Sequence, residues 1–261
     1  MQAAADRALP ICFVAEDASR TPVARLQAVL QCALEAGATR VCLCDSAGLL
    51  RPSELVPLCE AVHGAQARAG CKASWQWHGH NDRGLALATA LEAHALGAGG
   101  VHVTLFGLGE RAGLVPLEQW LVNLALQDEW PWAQLQALGC ELGPLAHALG
   151  VALEPHRPVC GRDVFTTAAG MHGALRVKAA TGESPDLAFS PAQVGRQSHL
   201  ALGPWAGHHM ATAALQALGL PHDAALADAL LQMLKTWRDS VVLPAASQPA
   251  PALPVSGRAD A

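Results

Sequence analysis

Four short apolar runs alternate with longer amphipathic stretches through the first half of the chain. The runs are "LPICFVAED", "TRVCLCDSAG", "CKASWQWHGHND" and "GGVHVTLFGLGE", each ending in a polar loop. Helical patterning follows each of them, over residues 21–36, 52–69, 84–97 and 117–126. Thr21-Pro22 and Arg51-Pro52-Ser53 are good helix openings, and Gly37, Gly70 and Gly97 stand where helix ends need them. Buried strands alternating with helices at this spacing predict parallel β/α units. A closed (β/α)8 barrel needs eight units and about 250 residues. The expected fold is therefore α/β, a partial (β/α)8 TIM barrel containing the last four βα units over residues 1–130. A mostly helical C-terminal subdomain is expected over 131–243, with an irregular stretch near 155–190. The Pro/Ala/Ser-rich end, "LPAASQPAPALPVSGRADA", predicts a disordered tail over 244–261. A half-barrel has open edges, which invites pairing with another chain.

Composition narrows the class. Residues are 51% hydrophobic and only 15% charged, so a substantial core is possible. The formal net charge of -5 argues against a nucleic-acid surface, and no basic run suggests a membrane surface. The N-terminus "MQAAADRALP" lacks signal-peptide layout, and no apolar stretch reaches the 18 residues of a membrane span. The chain reads as soluble and cytoplasmic. Its 8 cysteines include no C-x-x-C pair and read as reduced buried thiols, and tyrosine is absent.

Chemistry gathers at the C-terminal ends of parallel barrel strands. Four polar loops fall there: residues 16–20, 45–48, 78–82 and 107–113. On a strand, residues two apart point the same way, so His78 and His80 project together with Gly79 turned away. Two imidazoles with carboxylate and water oxygens suit Zn, Mn or Fe, and Mg with more oxygen ligands. The alternative is a histidine pair hydrogen-bonded in a loop without metal. For Arg20 the alternative to ligand binding is a surface ion pair with Glu16 or Asp17. Glu110 and Arg111 read as a structural pair bracing their loop, with direct ligand contact as the alternative.

"HGHNDRGLALATALEAHALGAGGVHVTLFGLGERAG" resembles the signature of the Claisen-condensing acyltransferases that include homocitrate synthase and 2-isopropylmalate synthase. "FVAEDASR", "CDSAG", "GRDVFTTAAGMHGAL" and "VGRQSHLALGPWAGHHM" extend the resemblance over residues 11–219, nearest to homocitrate synthases of the nitrogen-fixation type. The resemblance implies condensation of acetyl-CoA with a 2-oxo acid, 2-oxoglutarate giving homocitrate. It also implies a divalent metal (Mg, Mn or Zn) held by His78 and His80. Arg20 matches an arginine that clamps the far carboxylate of 2-oxoglutarate, with Ser46 at a supporting threonine position. His172 matches a histidine that helps deprotonate the acetyl methyl of acetyl-CoA.

The departures from this pattern shape the expectation. The family's first strand carries an Asp-Arg-Glu motif that supplies the third metal ligand, and nothing in residues 1–10 resembles it. The tyrosine that usually accompanies His172 has no counterpart, although Asp186 lies near its place. Leu114 stands where isopropylmalate synthases carry a metal-reaching asparagine; lysine-pathway homocitrate synthases also have an apolar residue there. Two histidines without a protein carboxylate would bind metal weakly. Two readings follow: a homo- or hetero-oligomeric acyltransferase in which a partner chain supplies the missing half, or a catalytically inactive truncated homologue acting in binding or assembly. A lyase of the same superfamily is disfavoured, because "FGLGERAG" resembles the condensing branch, whereas the lyase branch places a cysteine-bearing loop there and no cysteine lies between Cys71 and Cys140.

Overall fold

The computed structural model describes residues 2–5, 7, 9–178, 187–236 and 241–244. Asp186 and the tail beyond Pro244 lie outside the described residues. The chain divides into two compact units, Met1–Glu129 and Trp130–Ala261.

After a single helical turn, α1 (Gln2–Ala5), the first unit alternates strictly. Its elements are β1 (Cys12–Ala15), α2 (Val23–Glu35), β2 (Arg40–Asp45), α3 (Val56–Ala69), β3 (Ser74–Gly79), α4 (Ala86–Ala95) and β4 (Gly100–Val101). The four strands form one parallel sheet in the order β1-β2-β3-β4. Each strand thus lies beside its sequence neighbour, with a helix in every crossover, as parallel strands require. The fourth apolar run does not form one strand. It breaks at His102 into β4 and β5 (Val103–Thr104), and β5 pairs instead with β6 (Val115–Pro116), directly before α5 (Leu117–Leu126).

The two faces of the sheet differ sharply. Val41, Leu43, Trp75 and Trp77 alternate to one side and are buried. Leu26, Leu30, Ala33 and Leu34 form the buried stripe of α2, at the spacing a core-facing helix needs. Gly79 lies on the Trp77 side of the strand: a Cβ there would stand 2.9 Å from the Trp77 indole nitrogen. The other face carries Val14, Cys42, Gln76 and Gly100 in one row, and Cys44 and His78 in the next. Its cover is partial, since Val14 is 55% exposed at a mid-strand position.

The second unit contains α6 (Trp132–Ala148), α7 (Gly170–Lys178), α8 (His208–Ala217) and α9 (Ala224–Thr236). It also holds a small sheet that helical patterning does not anticipate. There β7 (Thr166–Thr167) runs parallel to β8 (His199–Leu202), and β9 (Val241–Pro244) runs antiparallel to β8. Leu200 and Leu202 pack with Met210, Ala214 and Leu234 to form its core. A turn at Pro191–Val194 seats against α6, where Gly139 admits the Val194 carbonyl at a distance that any side chain would block.

The asymmetry of the first sheet sets a stability contrast. Trp77→Ala should cost about 3–5 kcal/mol through lost packing and a residual cavity. Val14→Thr, on the other face of the same sheet, should stay within about 0.5 kcal/mol. Urea unfolding of the full chain measures both, and equal losses would contradict the assignment of faces.

Candidate metal and substrate site

His78 is the penultimate residue of β3, paired across the sheet with Cys44, and it lies on the partly covered face. His80 follows just past the strand, where its backbone N–H donates to the Asp45 carbonyl at 3.3 Å. The two rings meet edge to face with centroids 5.2 Å apart, and Nε2 of His78 stands 3.4 Å from Nε2 of His80. Two nitrogens each about 2.0–2.1 Å from a tetrahedral zinc are about 3.3–3.4 Å apart. The pair therefore fits two ligands of one divalent ion. The Nδ1 atom of His80 is buried without a hydrogen-bond partner.

Two neighbouring carboxylates, Asp45 and Asp82, are committed elsewhere. Asp45 is 2% exposed, and its two oxygens accept the backbone N–H groups of Leu49 (3.0 Å) and Leu50 (2.9 Å). Asp82 accepts two hydrogen bonds from Arg111, at 2.8 and 3.0 Å. Among the described residues, no group of three or more His, Cys, Asp or Glu side chains is placed to hold a metal.

The loops after β1, β2 and β3 and the 107–113 loop are tied into one cluster. Arg111 bridges three of them, because it also donates to the Ser46 carbonyl at 2.6 Å. The Ser46 hydroxyl accepts the Asp17 N–H at 2.9 Å, which joins the fourth. Gly48, at φ +63°, leaves room for this arrangement: a Cβ there would stand 2.9 Å from the His80 carbonyl. The Arg111 guanidinium holds the Asp82 carboxyl below the usual carboxylate range. Arg111 is thus paired with Asp82 rather than braced against adjacent Glu110. The loop also stores strain, since buried Phe106 adopts φ +56° and its N–H donates to Glu118 Oε2 at 3.1 Å.

Arg20 and Ser46 lie in this cluster. Arg20 Nε donates to both Asp17 oxygens, at 2.8 and 3.0 Å, and the arginine side chain is 60% exposed. Arg20 thus forms the surface ion pair with Asp17. His172 belongs to the second unit, exposed on α7. Reading the sequence alone misses one member of the site: His102, whose Nδ1 lies 3.2 Å from Nδ1 of His78. The "GGVHV" run contained its signal, a histidine ending the strand next to β3.

Residues 1–139 match the family model described as HMGL-like. A protein named as an (R)-citramalate synthase in Methanosarcina acetivorans is 33% identical over 90% of this chain and 47% of its own length. One named as a 2-isopropylmalate synthase in Methanopyrus kandleri is 34% identical over 90% and 46%. The homocitrate synthase of Saccharolobus solfataricus is 32% identical over 86% and 47%. The chain thus spans about half the length of the curated relatives it matches. Among solved structures, the N-terminal domain of a Bacteroides vulgatus protein titled as an aldolase aligns with a TM-score of 0.47 at 19% identity, over 62% of this chain and 54% of that one.

Burial, with the charges that His102 and His80 can carry, pushes the His78 pKa down from its ordinary value. The neutral imidazole is then the folded form near neutrality, which is what a metal requires. Below the unfolded value of about 6.5 the unfolded chain takes up a proton that folded His78 refuses. Stability should therefore fall as pH drops from about 6.5 towards the folded pKa of His78. NMR titration of the metal-free chain should place the His78 midpoint below 6.5, and His78→Gln should flatten this part of the pH–stability curve. A His78 midpoint at or above 6.5 would contradict the assigned environment.

Proposed function

This chain belongs to the HMGL-like family, and we propose that it forms the C-terminal half of the (β/α)8 barrel of a condensing acyltransferase. The reaction joins acetyl-CoA to a 2-oxo acid, with 2-oxoglutarate as acceptor and homocitrate as product. The observation that carries this reading is the approach of His78 and His80 Nε2 to 3.4 Å at the strand ends. In the proposed mechanism these two side chains hold a divalent ion, which when bound polarises the ketone of the oxo acid.

Three further roles fall to groups of this chain. His172 takes a proton from the acetyl methyl, and the resulting carbon nucleophile attacks the ketone carbon. Hydrolysis of the thioester then releases CoA. Arg20 and Ser46 receive the far carboxylate of the oxo acid. Arg20 already presents its guanidinium to two carboxylate oxygens of Asp17. An exposed pair of this kind is worth little, so a substrate carboxylate can replace Asp17 at small cost.

A third metal ligand has to come from outside the described residues, and a complementary half supplied by a partner chain would provide it. The edges of the sheet support this arrangement: β1 and β4 have no outer strand neighbour among the described residues. Beside β1 an apolar groove runs along Phe13, Arg25, Val29, Cys32 and Ala33. A second reading, a binding or assembly protein without catalysis, draws on the same shortage of ligands.

Reconstitution separates the two. The chain mixed with a polypeptide carrying four preceding βα units and an Asp-Arg-Glu first strand should release CoA from acetyl-CoA only when 2-oxoglutarate is present. Arg20→Ala should raise KM for the oxo acid more than it lowers kcat. A stable complex that releases no CoA would favour the non-catalytic reading.

A further inference from the structure

We propose that His102 and Gln76 form a proton-ordering relay behind His78, which fixes the tautomer that leaves Nε2 of His78 bare. The inference rests on the reading of His78 and His80 as metal ligands, and it assigns His102 as a positioning residue for that pair.

Three residues of the partly covered sheet face carry it. Gln76 and His78 alternate along β3. His102 follows β4, whose Val101 pairs with Trp77, and its N–H donates to the Trp77 carbonyl at 2.9 Å. That backbone hydrogen bond holds the His102 ring beside His78, with centroids 5.3 Å apart. The two nitrogens of His78 then face different partners: Nδ1 lies 3.2 Å from Nδ1 of His102, and Nε2 lies 3.4 Å from Nε2 of His80. His102 Nε2 in turn lies 3.4 Å from Gln76 Oε1.

Proton positions follow from the chemistry of the last acceptor. An amide oxygen only accepts, so His102 Nε2 carries the hydrogen. Neutral His102 then has a bare Nδ1, which accepts a hydrogen bond from His78 Nδ1–H. Neutral His78 is left with its lone pair on Nε2, directed at His80. Gln76 Oε1 also lies 3.9 Å from the Cys12 thiol, a weak donor, which favours the oxygen at that position. His102 cannot share an ion held between the two Nε2 atoms, because it addresses the opposite edge of the His78 ring. Its role resembles that of the outer hydrogen-bond partners that orient metal-binding histidines and raise their basicity.

Nitrogen-15 NMR of the full metal-free chain at mildly alkaline pH, where imidazoles are neutral, reads the tautomer directly. The wild type should show His78 protonated on Nδ1. His102→Ala should shift it towards the Nε2–H form, as should Gln76→Leu, and His102→Gln should restore it by offering an amide oxygen to Nδ1–H. Cobalt titration of the same proteins should show affinity about 10–100-fold weaker in His102→Ala and recovered in His102→Gln. His78 protonated on Nε2 in the wild type, or a tautomer that His102→Ala leaves unmoved, would overturn the relay. If the tautomer responds as expected but the wild type binds no cobalt, the metal reading fails while the relay stands.

Discussion

The period-two alternation of β3 is the constraint on which the rest depends. Trp75 and Trp77 must fill the helix side of the sheet, and that fixes which way the strand faces. Gln76 and His78 then have no choice but the opposite face. A slip of one residue in the parallel register would put both indoles on the partly covered face and bury the histidine under the helices. Core packing, amounting to several kcal/mol, therefore orients a side chain whose own contribution to stability is small.

Polar contacts do the finer positioning. Four loops from separate βα units share Arg111, Asp82, Ser46 and Asp17. Each exposed charge pair in that cluster contributes little alone. Shared between loops, they tie the segment carrying Asp82, two residues after His80, to the loops after β1 and β2. Arg111 ties up Asp82, while Asp45 is held separately by the backbone N–H groups of Leu49 and Leu50.

The βα rhythm of the first unit was legible because its signals are local. Proline and glycine at helix ends and apolar runs of strand length mark α2, α3 and β1–β3, and α5 falls over the expected residues 117–126. The closeness of His78 and His80 likewise follows from their spacing. What was not legible depends on register or on distant loops. Arg111 reaches Asp82 across 29 residues, so the adjacent Glu110 was the only partner the sequence suggested. His102 could be read as the end of a strand but not as the neighbour of His78. The small sheet of the second unit is built from strands of two to four residues, too short for alternation to show. Its helices could be expected from patterning, but the β7–β8–β9 pairing could not.

The most direct test of the account is X-ray absorption at the zinc edge of the zinc-loaded full chain. Two imidazole ligands per zinc, with the remainder light oxygen scatterers, is the predicted result, and both imidazoles should vanish in a His78→Ala/His80→Ala double variant. One imidazole or none in the wild type, or a spectrum that the double variant leaves unchanged, would contradict the claim that these two residues hold the metal.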